Sequence, residues 1–228
     1  MTKEVSPTTC RGVRRGERLT DQIGAWHKRR YNAFTLIELI VVVGIIAILS
    51  ALVLSTVGYA RKKSAFARAE TEIAAMSAAC ENYKADNGVY PRGQSTSVPV
   101  SGTPIYTVAA TGTDDLNARS DTDSTQKKYQ DACRYLYEQL SGDVNLDLVI
   151  DAGKRSYFSF KESMLATIKD MNGNTVGLSH IKDPFGNSYG YSTANQANAA
   201  NGYNPTFDIW STAAGTASTD TAKWIKNW

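Results

Sequence analysis

From Leu39 to Val57 the chain runs 19 residues with no charge and no proline. At about 1.5 Å per helical residue the stretch is roughly 28 Å long, close to the hydrocarbon thickness of a bilayer. It predicts a single membrane-spanning helix. Glu38 stands at its front, where a carboxylate is expensive: on the order of 2.5–3.5 kcal/mol at the centre of such a helix, less towards its end. A residue placed at that cost calls for a partner. Charge sets the direction of the span. Residues 1–33 hold eight Lys/Arg and three Asp/Glu, a net of +5, while residues 34–228 carry −2, together giving the chain's +3. A positive segment before an apolar run marks the side that stays in the cytoplasm. The basic pI of 8.7 comes from this tail and is no sign of nucleic-acid binding by the rest. No small-residue cleavage site follows the run, since Ser55-Thr56-Val57-Gly58-Tyr59 leads into Arg61-Lys62-Lys63.

The helix is expected to outlast the membrane. No proline occurs from Phe34 to Val89, and Pro91 follows the stop signal Asn87-Gly88. A helix from Phe34 to about Asp86 would be roughly 80 Å long at that rise. In its outer half Phe66, Ala69, Ile73, Met76, Cys80 and Tyr83 recur at intervals of three and four, one apolar stripe. Arg61, Lys62, Lys63, Arg68, Glu70, Glu72 and Glu81 fall mostly on other faces. The stripe is expected to pack on the chain's own C-terminal part, because sustained heptads are too few for a coiled coil.

Residues 92–126 are rich in Ser, Thr, Gly and Asp and read as a long exposed loop. "KKYQDACRYLYEQLS", residues 127–141, has helix spacing and stops at Gly142. Short strands are expected in "VNLDLVID" and "RSYFSF", after a turn in "KDPFGNSYGYS", and in "NPTFDIW". Cys10 sits in the tail, and Cys80 and Cys133 remain. That pair reads either as one disulfide outside the cytoplasm or as two buried thiols, and spacing does not choose. The terminal run Trp224 to Trp228 is apolar enough to dock on the head or to meet a partner.

"AFTLIELIVVVGIIAIL", residues 33–49, closely resembles the prepilin N-terminal motif of type IV pilins and type II secretion pseudopilins. The resemblance implies that a prepilin peptidase cuts between Ala33 and Phe34 and that the new Phe34 amine is methylated. It implies that Glu38, the fifth mature residue, serves assembly: a neighbour's amine meets its carboxylate and fixes the stagger of a helical filament. The chain departs from the pattern at Ala33, where the family usually has Gly, and its leader of 33 residues is long. "ENYKADNGVYP", "DPFGNSYGY" and "FDIWSTAAG" resemble the helix end and C-terminal region of type II secretion major pseudopilins. In those a loop after the last strands binds calcium. Here Asp208 and Asp220 stand at that place, in a loop poor in carboxylates, where Asp208 equally fits a turn or sheet edge.

The expectation is therefore an α+β, pilin-like protein: a long N-terminal helix, first transmembrane and then amphipathic, packed against a small antiparallel sheet. Its parts are a leader (1–33), a transmembrane and polymerisation half-helix (34–57), an amphipathic half-helix (58–90), a flexible loop (91–126) and an α+β head (127–228). The resemblance implies a subunit of a type II secretion pseudopilus, in the inner membrane with the leader cytoplasmic and the head periplasmic. Implied partners are further copies of itself, the prepilin peptidase, an inner-membrane assembly platform, minor pseudopilins and the membrane, with no nucleic acid. A type IV pilin acting in adhesion, motility or DNA uptake is the alternative, and a single-span binding protein that never polymerises is a third. No enzyme is expected. His27 lies in the leader, His180 has no catalytic companion motif, and there is no phosphate loop, dinucleotide fingerprint, C-x-x-C or H-E-x-x-H. Asp143, Asp147 and Asp151 read as a solvated face.

Overall fold

The computed structural model describes residues 34–94, 111–213, 215 and 218–228. The leader, expected over 1–33, lies outside them. Five strands and three α-helices are described: α1 (Leu36–Asn87), α2 (Lys127–Ser141), β1 (Leu165–Lys169), β2 (Thr175–Ile181), β3 (Gly190–Ser192), α3 (Ala194–Ala197), β4 (Asp208–Ser211) and β5 (Ile225–Lys226). All sheet pairings are antiparallel: β1 with β2 in one sheet, and β3-β4-β5 in another. The architecture is α+β, a long apolar N-terminal helix with small antiparallel sheets.

The chain divides into two units between Ser50 and Ala51. In the described part of the first, every residue from Phe34 to Ser50 is exposed. It belongs to the one described helix that is long and apolar enough to cross a membrane. An apolar surface of that extent needs lipid or another helix to cover it.

The second unit is built on the stripe that the sequence marks out. Ala69, Ile73, Met76 and Cys80 of α1 are buried in one cluster with Cys133, Leu136 and Leu140 of α2 and Leu178, Ile181, Tyr191 and Ile209 of the sheets. Phe66 and Tyr83 close its ends, Phe66 edge-on to Phe185 at 5.0 Å. Each fully buried aliphatic side chain here is worth about 1.5–3 kcal/mol by area. Glu72, expected on an outer face, is buried. Arg68 Nε donates to it at 2.8 Å and the Tyr189 hydroxyl at 2.7 Å, which ties α1 to the residue before β3. Helix α2 ends at Gly142, whose left-handed φ of +78° supplies the expected stop.

The C-terminal run docks on the head. Trp224 is buried and stacks on Trp210 at 6.1 Å, and Trp210 Nε1 donates to the Tyr129 hydroxyl at 3.2 Å. Leu116 and Ala118 complete this second cluster. Residues 111–126 are thus not the exposed loop the composition suggests. One leucine anchors them, and their aspartates and asparagines close local turns, as when Asn117 and Thr125 N–H donate to Asp121 and Asp123.

"VNLDLVID" is no strand. Asp143 accepts from Leu148 N at 2.7 Å, Asp147 from Val149 N at 2.8 Å, and Asp151 from Val144 N at 2.7 Å. These side chains compete with a ladder for the same N–H groups. Leu146 and Leu148 are left-handed, at φ +64° and +71°, so the alternation never reaches two faces. Nor is "RSYFSF" a strand: Tyr157 and Phe158 N–H both donate to Leu140 O at the end of α2. The hairpin β1–β2, not foreseen, turns at Asp170–Asn174, where Asp170 Oδ1 accepts from the N–H of Asn172 and Asn174, each at 2.8 Å.

Candidate functional site

The site of interest is the first turn of α1. Phe34 is 83% exposed and precedes the helix. Thr35 is the N-cap and Glu38 the third helical residue, the T-x-x-E spacing of a capping box. Both reciprocal bonds form. Thr35 N and Thr35 Oγ1 each donate to Glu38 Oε2 at 2.8 Å, and Glu38 N donates to Thr35 Oγ1 at 3.3 Å. The carboxylate also lies at the positive end of the helix dipole. Glu38 therefore has a partner inside its own chain, which the sequence reading passed over in favour of a terminal amine. The signal was present in Thr35-Leu36-Ile37-Glu38. A cut before Phe34 leaves the Thr35 amide and hydroxyl in place, so the cap survives it. Ala33 lies outside the described residues.

Cys80 and Cys133, one of whose readings was a disulfide, are free thiols, both fully buried. Each has its own neighbours. Cys133 Sγ donates to Ile181 O at 3.5 Å, and the Tyr191 hydroxyl lies beside Cys80. Burial pushes the Cys133 thiol up to about 12 and Cys80 higher still, so neither is a thiolate at neutral pH.

Asp208, the first candidate calcium ligand, is buried on β4. It accepts from Tyr203 N at 2.8 Å and Asn204 N at 2.9 Å, which makes it the clasp of the loop before the strand. Burial raises its pKa, while the two N–H groups and Arg119 pull it down. The side chain of Asp220 lies outside the described ones. Asp183 plays a like role, taking the Ser211 hydroxyl at 2.5 Å and the N–H of Phe185 and Asn187 at 2.9 Å. The densest run of oxygen donors is Asp143, Asn145, Asp147 and Asp151. Their first, third, fifth and ninth spacing begins like a calcium loop. Of the solvated face expected there, Asp143 is buried and bonds Tyr137 Oη at 3.0 Å. No group of three or more His, Cys, Asp or Glu is placed to hold a metal among the described residues. His180 lies on β2 with Nδ1 2.9 Å from Ser179 Oγ, and burial with Arg134 and Lys182 nearby lowers its pKa to about 4.

Residues 28–54 match the prokaryotic N-terminal methylation motif. The chain is 42% identical over 67 residues to the type II secretion system core protein G of Pseudomonas aeruginosa, which is 29% of this chain and 47% of that protein. It is 39% identical over 64 residues to the protein of the same name from Aeromonas hydrophila, 28% of this chain and 45% of that one. The chain thus spans about half the length of the curated relatives it matches. No solved structure matches it. Motif, relatives and apolar helix together support a pilin-like, pseudopilin assignment and fit a single-pass inner-membrane protein.

Proposed function

We propose that this chain is a structural subunit of a type II secretion pseudopilus. It enters the inner membrane as a prepilin, with its basic leader in the cytoplasm and its head in the periplasm. It is cut before Phe34, methylated there, and polymerised through α1 into a fibre that supports protein export. The observation that carries this reading is the methylation motif over residues 28–54, whose apolar helix is uncovered from Leu36 to Leu54. Glu38 then has two successive tasks: capping its own helix, and neutralising the amine of a neighbour through the oxygen that the cap leaves over. The reading assigns no catalysis and needs no cofactor. Calcium at the Asp208–Asp220 loop is the one ligand the resemblance to major pseudopilins implies, and a calcium titration followed by thermal unfolding tests it. The peptidase, the assembly platform and minor pseudopilins are the partners it requires.

N-terminal mass spectrometry of the membrane-extracted chain is the direct test. A mature start at methylated Phe34 is expected, and an intact Met1 or a start beyond Val57 overturns the reading. Surface filaments in electron micrographs would move the assignment to a type IV pilin. Glu38→Ala is expected to lose fibres with its head still folded, whereas a wild-type chain that forms no fibres and behaves like Glu38→Ala would support a single-span protein that does not polymerise.

A further inference from the structure

We infer that Arg61, Lys62 and Lys63 form a collar that binds anionic phospholipid headgroups in the leaflet where the span ends. The inference rests on the reading of Leu39–Val57 as a membrane helix. These cations oppose the positive-inside rule, since they stand on the far side of the span from the leader. All three are exposed, and among the described residues none is in an ion pair. No Asp or Glu occurs between Glu38 and Glu70 to neutralise them. Arg68, the next cation, is already held by Glu72 and by Ser163 Oγ at 2.7 Å.

Depth favours lipid. Arg61 to Lys63 rise roughly 6–9 Å beyond Val57, the level of the headgroups outside the hydrocarbon. Tyr59, 72% exposed, precedes them as an interfacial aromatic would. Direction favours lipid as well. Successive helical residues turn by about 100°, so three in a row spread the charge around the helix. A protein neighbour meets one face, whereas an annulus of lipid surrounds it. The helix surface offers seats on more than one side. One is an open groove of about 420 Å³ between Arg61, Ser64, Arg68 and Pro184, the other a groove of about 360 Å³ between Tyr59, Lys62, Lys63 and Phe66. The long stems lie along apolar surface while the charged ends reach phosphate.

The test uses the full chain and its Arg61→Gln/Lys62→Gln/Lys63→Gln variant in phosphatidylcholine vesicles. These carry a trace of spin-labelled phosphatidylglycerol or spin-labelled phosphatidylcholine. The leader's cations act equally in both chains, so the comparison isolates the collar. The preference for the anionic lipid is expected to be roughly three- to fivefold greater in the wild type, to shrink with salt, and to persist in Arg61→Lys. A variant that resists carbonate extraction and keeps the full preference overturns the collar and leaves the span standing. A wild-type chain that carbonate strips from the vesicles overturns span and collar together. Collar-dependent cross-linking between copies, with no lipid preference, assigns the surface to a second copy and overturns the inference.

Discussion

Thr35 and Glu38 hold each other at the start of α1: the threonine amide and hydroxyl both donate to one carboxylate oxygen at 2.8 Å. Cap and charge are separable by substitution. Glu38→Gln keeps a side chain able to complete the box but removes the charge, and Thr35→Ala removes the cap but keeps the charge. Thr35→Ala is expected to cost about 1 kcal/mol of helix start, read as fraying of residues 35–39 in micelle NMR, with fibres still formed. Glu38→Gln is expected to leave the first turn intact and abolish fibres in electron micrographs. Fibres of normal number from Glu38→Gln would show that the carboxylate acts only as a cap.

Legibility from the sequence followed the length of the pattern. The stripe from Phe66 to Tyr83 is repeated over five turns, and the structure buries it where the intervals place it. The same holds for Lys127–Ser141 with its glycine stop. Between residues 143 and 161 the pattern misled. Alternation in "VNLDLVID" was real, but Asp143, Asp147 and Asp151 bond the local N–H groups that a strand would have shared. The burial of Leu116 and of Glu72 depends on partners more than 75 residues away, Trp210 and Tyr189, and no local window contains them. At the site, the motif marks Phe34 and Glu38, while the Thr35–Glu38 cap spans only four residues and leaves no period in the sequence.

Gly190 on β3 faces Trp210 on β4, and a Cβ at residue 190 would fall 2.2 Å from the indole ring. Trp210 cannot yield easily, because Tyr129 and Trp224 pack against it. Gly190→Ala is expected to destabilise the head by about 3 kcal/mol or more. Adding Trp210→Phe, which shortens the ring, should cost less in the Gly190→Ala background than in the wild type. Denaturant unfolding of the four proteins checks this, and strict additivity would mean that the two residues do not meet.

Arg134 is buried on α2, with Nε donating to Ser179 O at 3.0 Å and Nη2 lying 3.4 Å from the Asp131 carboxylate. Lys127 holds the other oxygen of Asp131 at 2.6 Å. Removing the guanidinium strands part of a buried charge as well as the Ser179 carbonyl. Arg134→Ala is therefore expected to cost about 3 kcal/mol. Arg134→Met with Asp131→Leu, which removes both charges and keeps volume, should recover most of that loss in urea unfolding.

His180 makes the head sensitive to acid. Its pKa falls from 6.5 to about 4 in the folded state because burial and the nearby Arg134 and Lys182 disfavour the imidazolium. The unfolded chain binds the proton first as pH falls, so the contribution to stability is intact above about 6.5. It drains away towards pH 4, on the order of 3 kcal/mol across the window. Buried Asp183 and Asp208 have raised pKa values and act with the opposite sign, because their folded forms hold protons more tightly. The difference between two chains isolates the histidine. Wild type minus His180→Gln, measured by urea unfolding at pH 7.5, 6, 5 and 4, should slope downwards with acid. A difference that stays flat would mean that the imidazole is hydrated in the folded head.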